Sequence, residues 1–213
     1  MQAPFPALYA ILDPSLTTAP IGALAETLAK AGVRLIQLRD KRSPARRIYE
    51  QVRELAAILS PYDVRLIVND RPDIAAICGA AGVHVGQDDL PAEDARRICG
   101  LAKRVGVSTH NIEQLREADR TSADYIAVGP IFPTGTKENP DPVVGVDFVR
   151  EARRLTRKPL VAIGGITVES AADVFGAGAN SVAVIRDLIA APDPGVRARE
   201  YLEIAERVRT RKS

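Results

Sequence analysis

The sequence predicts an α/β fold, a single (β/α)8 barrel of the TIM type, with residues 1–213 as one domain. Three observations lead there. Short apolar runs alternate with longer amphipathic stretches along the whole chain. Eight such runs occur, and several are continuous Val, Ile and Leu, as parallel strands covered on both faces require. A phrase also recurs (Ala31-Gly32-Val33, Ala81-Gly82-Val83 and Ala177-Gly178-Ala179-Asn180) in which glycine ends a helix and feeds a strand. Eight units share the chain at about 27 residues each, compact for this architecture. A doubly wound open sheet is the alternative. The count of eight and the lack of any linker or composition break favour the barrel.

The elements follow in order. A strand over 7–12 leads to a helix over 21–31 that stops at Gly32. A strand over 34–38 leads to a helix that Ser43 caps and Pro44 opens as its first residue, ending near Leu59. A strand over 65–68 precedes a short helix that Pro72 opens and that ends near Cys78. Strands over 83–85, 104–107 and 125–128 come next, with helices over 91–99 and 111–120 between them. A helix over 146–156, a strand over 160–163, a helix over 167–175, a strand over 181–184 and a helix over 195–209 complete the set. One segment breaks the rhythm. Residues 129–145 form a long stretch rich in glycine and proline, and Ile131, Phe132 and Lys137 within it suit a working lid.

Composition narrows the function. Apolar residues make up 46% of the chain and charged residues 26%, ordinary values for a protein with one core. Aromatics are 4% and Trp is absent, so that core is Ala, Val, Ile and Leu. Lys plus Arg is 29 against 27 Asp plus Glu, a net charge of +2, which argues against a nucleic-acid or membrane-surface binder. Cys78 and Cys99 lie in apolar helical contexts and read as reduced, buried thiols. No signal peptide and no membrane-length apolar run is seen, so a soluble cytoplasmic protein is expected. A homo-oligomer stays open, because the apolar pattern does not separate an exposed helix face from a core face.

In a barrel the working residues follow the strands. After the second strand, alternation puts Gln37, Arg39 and Lys41 on one side, where an amide and two cations suit a diphosphate. A solvated strand end with a local Asp40–Lys41 pair is the plainer alternative. The third strand ends in Asn69-Asp70-Arg71-Pro72 and the fourth in His84-Val85-Gly86-Gln87-Asp88-Asp89. Each aspartate is a fair helix cap. Together, on neighbouring strands beside a cationic site, they match the carboxylates that hold Mg2+ alongside waters and phosphate oxygens. After the fifth strand, Ser108 and His110 are candidates, His110 as a general base or as a merely hydrogen-bonded histidine. The long loop offers Thr134, Thr136 and Lys137. Gly164-Gly165 and Ile185-Arg186 follow the last two strands, where barrels often bind phosphate. Two phosphorylated substrates joined with loss of diphosphate is the reaction class these parts fit. A phosphate-binding isomerase is the generic competitor.

The same residues resemble the thiamine phosphate synthase family over nearly the whole chain: QLRDK at 37–41, VNDR at 68–71, HVGQDDLP at 84–91, GVSTHN at 106–111, GPIFPTGTK at 129–137 and AIGGI at 162–166. The resemblance implies a barrel that joins a hydroxymethylpyrimidine diphosphate to a thiazole phosphate and releases diphosphate. It implies Gln37, Arg39, Lys41, Asn69 and Lys137 around the pyrimidine diphosphate, with Arg39, Lys41 and Lys137 catalytic. It implies Asp70 and Asp89 as Mg2+ ligands, and Ser108, Thr134, Thr136, Gly165, Ile185 and Arg186 around the thiazole phosphate. Arg186 departs from the family, which often has Ser there. The implied mechanism is dissociative, through a pyrimidine carbocation, and needs no protein nucleophile. Two alternatives accompany it: a thiazole tautomerase of the same superfamily using His110, and a non-catalytic binding protein of the thiamine pathway.

Overall fold

A computed structural model describes residues 5–135 and 141–211. Eight parallel strands close into a barrel in sequence order: β1 (Leu8–Leu12), β2 (Leu35–Leu38), β3 (Arg65–Asn69), β4 (Gly82–Val85), β5 (Arg104–Thr109), β6 (Tyr125–Val128), β7 (Leu160–Ile163) and β8 (Ser181–Val184). β8 pairs back onto β1 through Leu8 and Val182, so no strand edge is left open. The predicted architecture is the observed one. Around it lie α1 (Ile21–Lys30), α2 (Ala45–Leu59), α3 (Pro72–Ile77), α4 (Ala92–Cys99), α5 (Ile112–Arg120), α6 (Gly145–Leu155), α7 (Val168–Gly176), α8 (Arg186–Ile189) and α9 (Pro194–Thr210).

The strand pattern explains itself once the barrel is closed. Alternate residues of each strand face opposite sides, and both sides are dry. Leu8, Ala10 and Leu12 of β1 belong to the large outer core beneath the helices. Tyr9 and Ile11 face the barrel interior with Leu35, Ile67, Tyr125, Ala127, Val161 and Ala183. That interior is sparse in bulk on the β6–β8 side, where Ala127 and Ala183 stand. The small residues there leave room above them for the cavity described below.

Several local expectations need correction. Pro44 is the cap of α2 rather than its first residue: it is extended (φ −64°, ψ 155°) while its carbonyl accepts from Ile48 N. Ser43 does not cap. Its N–H instead donates to the Asp40 carboxylate at 2.9 Å, which shapes the turn before the helix. Asn111 does cap α5, accepting from Gln114 N at 2.9 Å. The recurring glycine phrase has two meanings. At Gly32 and Gly178 it is a Schellman ending: Gly32 N–H donates to Ala29 and Val33 N–H to Leu28, with Gly32 at φ +103°. At Ala81-Gly82 no helix ends; α3 has stopped at Ile77, and Gly82 already begins β4. α8 has no counterpart among the expected helices, because four residues carry no periodicity to read.

Candidate active site

A cavity of about 650 Å3 opens at the C-terminal ends of the strands. Gln37, Arg39 and Lys41 all line it, as the alternation along β2 requires. Gln37 is 2% exposed and donates from Nε2 to the Tyr9 hydroxyl at 2.6 Å. Arg39 is held by Asp13, with Nη1 2.5 Å from Oδ2. Asp13 is itself buried and accepts from Ser15 N and Ser15 Oγ at 2.9 and 2.6 Å. A guanidinium tethered at one edge keeps its remaining N–H donors for the cavity. Lys41 Nζ lies 3.0 Å from Asp70 Oδ2.

Asp70 directly follows β3 and Asp89 lies in the turn after β4; neither is among the residues that line the cavity. Asp70 takes the left-handed conformation at φ 59°, and its N–H donates to the His84 carbonyl, which ties the two strand ends together. Asp89 Oδ2 accepts from Gly86 N at 2.8 Å. The two carboxyls lie close enough to interact. Burial, and then the neighbouring Asp89, raise the Asp70 carboxyl to about 6, against the pull of Lys41. Of this pair, Asp70 has Lys41 as an ion-pair partner. An all-oxygen pair suits a hard cation such as Mg2+, which takes its other ligands from water and phosphate. Asp88 is exposed on the turn.

Asn69, Ser108, Thr134, Gly165, Ile185 and Arg186 also line the cavity. Thr136 and Lys137 lie outside the described residues. Gly165 has φ +62°, and a methyl group on it would come 2.4 Å from the Pro133 carbonyl. Its first role is therefore to let the loop after β6 lie against the loop after β7. Two backbone bonds join these loops, Ile131 N to Ile163 O at 2.9 Å and Phe132 N to Gly164 O at 3.0 Å. Arg186 donates from Nη2 to the Gly135 carbonyl at 3.1 Å, so it links the end of β8 to the loop after β6.

His110 is engaged on both ring nitrogens. Nδ1 donates to the Gly129 carbonyl at 2.6 Å, and Nε2 lies 3.5 Å from Asp141 Oδ2. That arrangement matches the hydrogen-bonded reading of His110.

Four residues of the site escape a reading by sequence alone. Asp13 follows β1 directly, and the rule that strand ends carry function points to it. Tyr9, Tyr125 and His84 form a buried polar chain inside the barrel. Tyr9 and Tyr125 hydroxyls are 2.9 Å apart, Tyr125 is 3.1 Å from His84 Nδ1, and His84 Nε2 is 2.8 Å from Ser108 Oγ. Burial holds the His84 imidazole down at about 4, and it keeps both phenols protonated. The available signal was a tyrosine at an inward position of an otherwise aliphatic strand.

Residues 8–188 match the family described as thiamine monophosphate synthase (TMP-TENI). The chain is 52% identical over 204 residues to the thiamine-phosphate synthase of Koribacter versatilis (strain Ellin345), covering 93% of this chain and 95% of that one. It is 43% identical over 171 residues to the thiamine-phosphate synthase of Halalkalibacterium halodurans, covering 80% and 81%. Among solved structures it is similar to a thiamine phosphate pyrophosphorylase from Pyrococcus furiosus, with a TM-score of 0.87, 33% identity and coverage of 95% and 96%.

Proposed function

Because the chain belongs to the thiamine monophosphate synthase family, a family of transferases, we propose that it joins 4-amino-2-methyl-5-hydroxymethylpyrimidine diphosphate to 4-methyl-5-(2-phosphooxyethyl)thiazole with release of diphosphate. The observation that carries the detail is the pairing of two charge sets at one cavity mouth. Arg39 and Lys41 line the cavity, and Lys41 links it to Asp70, which interacts with Asp89 behind that lining.

The residues divide the work by chemistry. Asp70 and Asp89 would hold Mg2+, whose charge offsets that of the departing diphosphate. Arg39, kept in place by Asp13, donates to the same leaving group, and Lys41 adds a mobile ammonium. Asn69 and Lys137 complete this clamp. Each such contact strengthens as negative charge gathers on the leaving oxygen, so it lowers the barrier rather than only tightening binding. One part of the cavity lining is apolar, made of Ala127, Val161, Ile163 and Ala183. Apolar walls keep water from a carbocation that the electron-rich pyrimidine stabilises while the thiazole nitrogen approaches. Gly165, Ile185 and Arg186, with Ser108, Thr134 and Thr136, surround the thiazole phosphate. No nucleophilic side chain is needed, in keeping with two cysteines that lie away from the cavity.

No helix among the described residues is long and apolar enough to cross a membrane, which suits small, charged substrates met in the cytoplasm. The tautomerase reading has less support, since His110 Nδ1 is committed to the Gly129 carbonyl.

The test is direct. Purified protein is mixed with both substrates and Mg2+, with and without EDTA, and thiamine phosphate is assayed. Product that EDTA abolishes is the expected result. Folded protein that forms no product from intact substrates would overturn the proposal in favour of the binding role.

A further inference from the structure

The buried chain of side chains beneath the cavity has a direction, and that direction can be deduced by counting protons. Its members come from five strands: Gln37 on β2, Tyr9 on β1, Tyr125 on β6, His84 on β4 and Ser108 on β5. Tyr9 and Tyr125 are about 1% exposed or less, and His84 is buried, so water does not supply missing partners. A phenol carries one hydrogen. Gln37 Nε2–H donates to Tyr9 Oη at 2.6 Å. The hydrogen of Tyr9 then has a single acceptor, Tyr125 Oη at 2.9 Å. The hydrogen of Tyr125 in turn has His84 Nδ1 at 3.1 Å. A neutral imidazole that accepts at Nδ1 carries its proton on Nε2, and Nε2 sits 2.8 Å from Ser108 Oγ. With Gln37 as the donor, any other arrangement strands a phenolic hydrogen in a dry interior, which costs a buried unsatisfied group.

We infer that this relay fixes the polarity of the cavity wall. Ser108 Oγ accepts from His84, so its own hydrogen is turned outward as a donor to an acceptor atom of the bound substrate. At the other end, Gln37 gives one of its two amide hydrogens to Tyr9, which sets the orientation of the amide and leaves its carbonyl oxygen as an acceptor. Tyr9 and His84 border the cavity and Tyr125 lies behind its lining; under this assignment the polar atoms of all three are spent within the relay, and they are positioning residues that act through Ser108 and Gln37. The sequence accommodates the relay at a specific place. Gly106 lies opposite Tyr125 in the β5–β6 pairing, and a methyl group there would come 2.0 Å from Tyr125 Cζ. The Tyr125 ring also stacks on His84, with centroids 5.5 Å apart, and meets Tyr9 edge-on at 6.0 Å.

The inference rests on the synthase reading only for what fills the cavity, so it is tested first without substrate. Protein labelled with 15N in the imidazoles is examined by NMR, with His84 and His110 assigned through a His110→Asn variant. The expected result is a neutral His84 protonated at Nε2. An Nδ1-protonated ring, or an imidazolium, overturns the relay whatever the enzyme's activity. The second arm is a double-mutant cycle on kcat/KM with Tyr125→Phe, Ser108→Ala and the pair. Each single variant is expected to lose roughly tenfold, the size of one hydrogen bond, and the double variant no more than the worse single one. Losses that multiply overturn the coupling between Tyr125 and Ser108. Should Tyr125→Phe fail to fold, the wild-type tautomer alone decides. Absence of product from the wild type falls on the synthase reading and leaves the tautomer result standing.

Discussion

Arg39 shows how one side chain is given a task by another. Its guanidinium is anchored by buried Asp13 on the neighbouring strand end, so removal of either residue damages the same contact. Arg39→Ala is expected to lower kcat by at least roughly 100-fold, the size of a lost charge contact of about 3–4 kcal/mol in the barrier. Asp13→Asn is expected to lose less, because the guanidinium stays but is less fixed. Steady-state kinetics on both variants, with thermal unfolding as a control for folding, checks the order. A reversed order would remove Asp13 from its anchoring role. His84 gives a pH dependence with a definite sign. Its ordinary value is near 6.5 and burial lowers it to about 4 in the fold. Between those values the unfolded chain binds a proton that the fold refuses, so stability is full above about 6.5 and falls as pH drops toward 4. Urea unfolding of wild type and His84→Gln at pH 7.5 and 4.5 is expected to show the wild-type advantage shrinking by up to about 3 kcal/mol at the lower pH. A gap independent of pH contradicts it. Gln37, Arg39 and Lys41 were readable as cavity-lining residues because they alternate along and just beyond one strand; that Asp70 and Asp89 would lie behind that lining was not readable. Asp13, Tyr9 and Tyr125 were not, because their meaning lies in partners across the barrel, and pairing between distant strands leaves no local trace.

Among the elements, β5 and β6 depend on one another through a single missing side chain. Gly106→Ala places a methyl group inside the Tyr125 ring, which Phe5, Tyr9 and His84 hem in. The expected cost is about 1–3 kcal/mol from overpacking, measured by chemical denaturation, with loss of activity beyond what the fraction unfolded explains. An unperturbed variant would mean that the ring shifts freely. The strands and long helices were legible for a simple reason. Each strand is apolar on both faces and each long helix carries an apolar stripe, and these patterns need no knowledge of tertiary contacts. Helix starts were less legible. Pro44 and Pro91 both serve as caps, whereas Pro72 lies within the first turn of α3, and proline is compatible with either place. The glycines of the β7 loop read as a phosphate cradle; their close contact with Pro130 and Pro133 depends on a neighbouring loop and was invisible.

On the scale of the whole molecule, the site draws on most of the strand ends, so ligands report on the entire barrel. Diphosphate with Mg2+ is expected to raise the unfolding free energy, by about 2.7 kcal/mol at a hundredfold excess over its Kd. The Asp70→Asn/Asp89→Asn double variant should lose the Mg2+-dependent part, as read by thermal shift with and without EDTA. Equal stabilisation in that variant would displace the metal from these carboxylates. Closure of the ring has a further consequence. β1 and β8 pair as any other neighbours do, and Arg209 Nη2 reaches the Phe5 carbonyl at 3.4 Å. α9 packs beside α1 and α7, so the two ends of the described chain meet at one place on the base of the barrel. The order in which the chain is written is therefore incidental to the circle it builds. A circular permutant that joins the old termini and opens at the exposed turn around Leu101, between α4 and β5, is expected to assemble the same ring and retain activity. Loss of folding in that permutant would reveal a seam at β1 that the geometry of the finished barrel does not display.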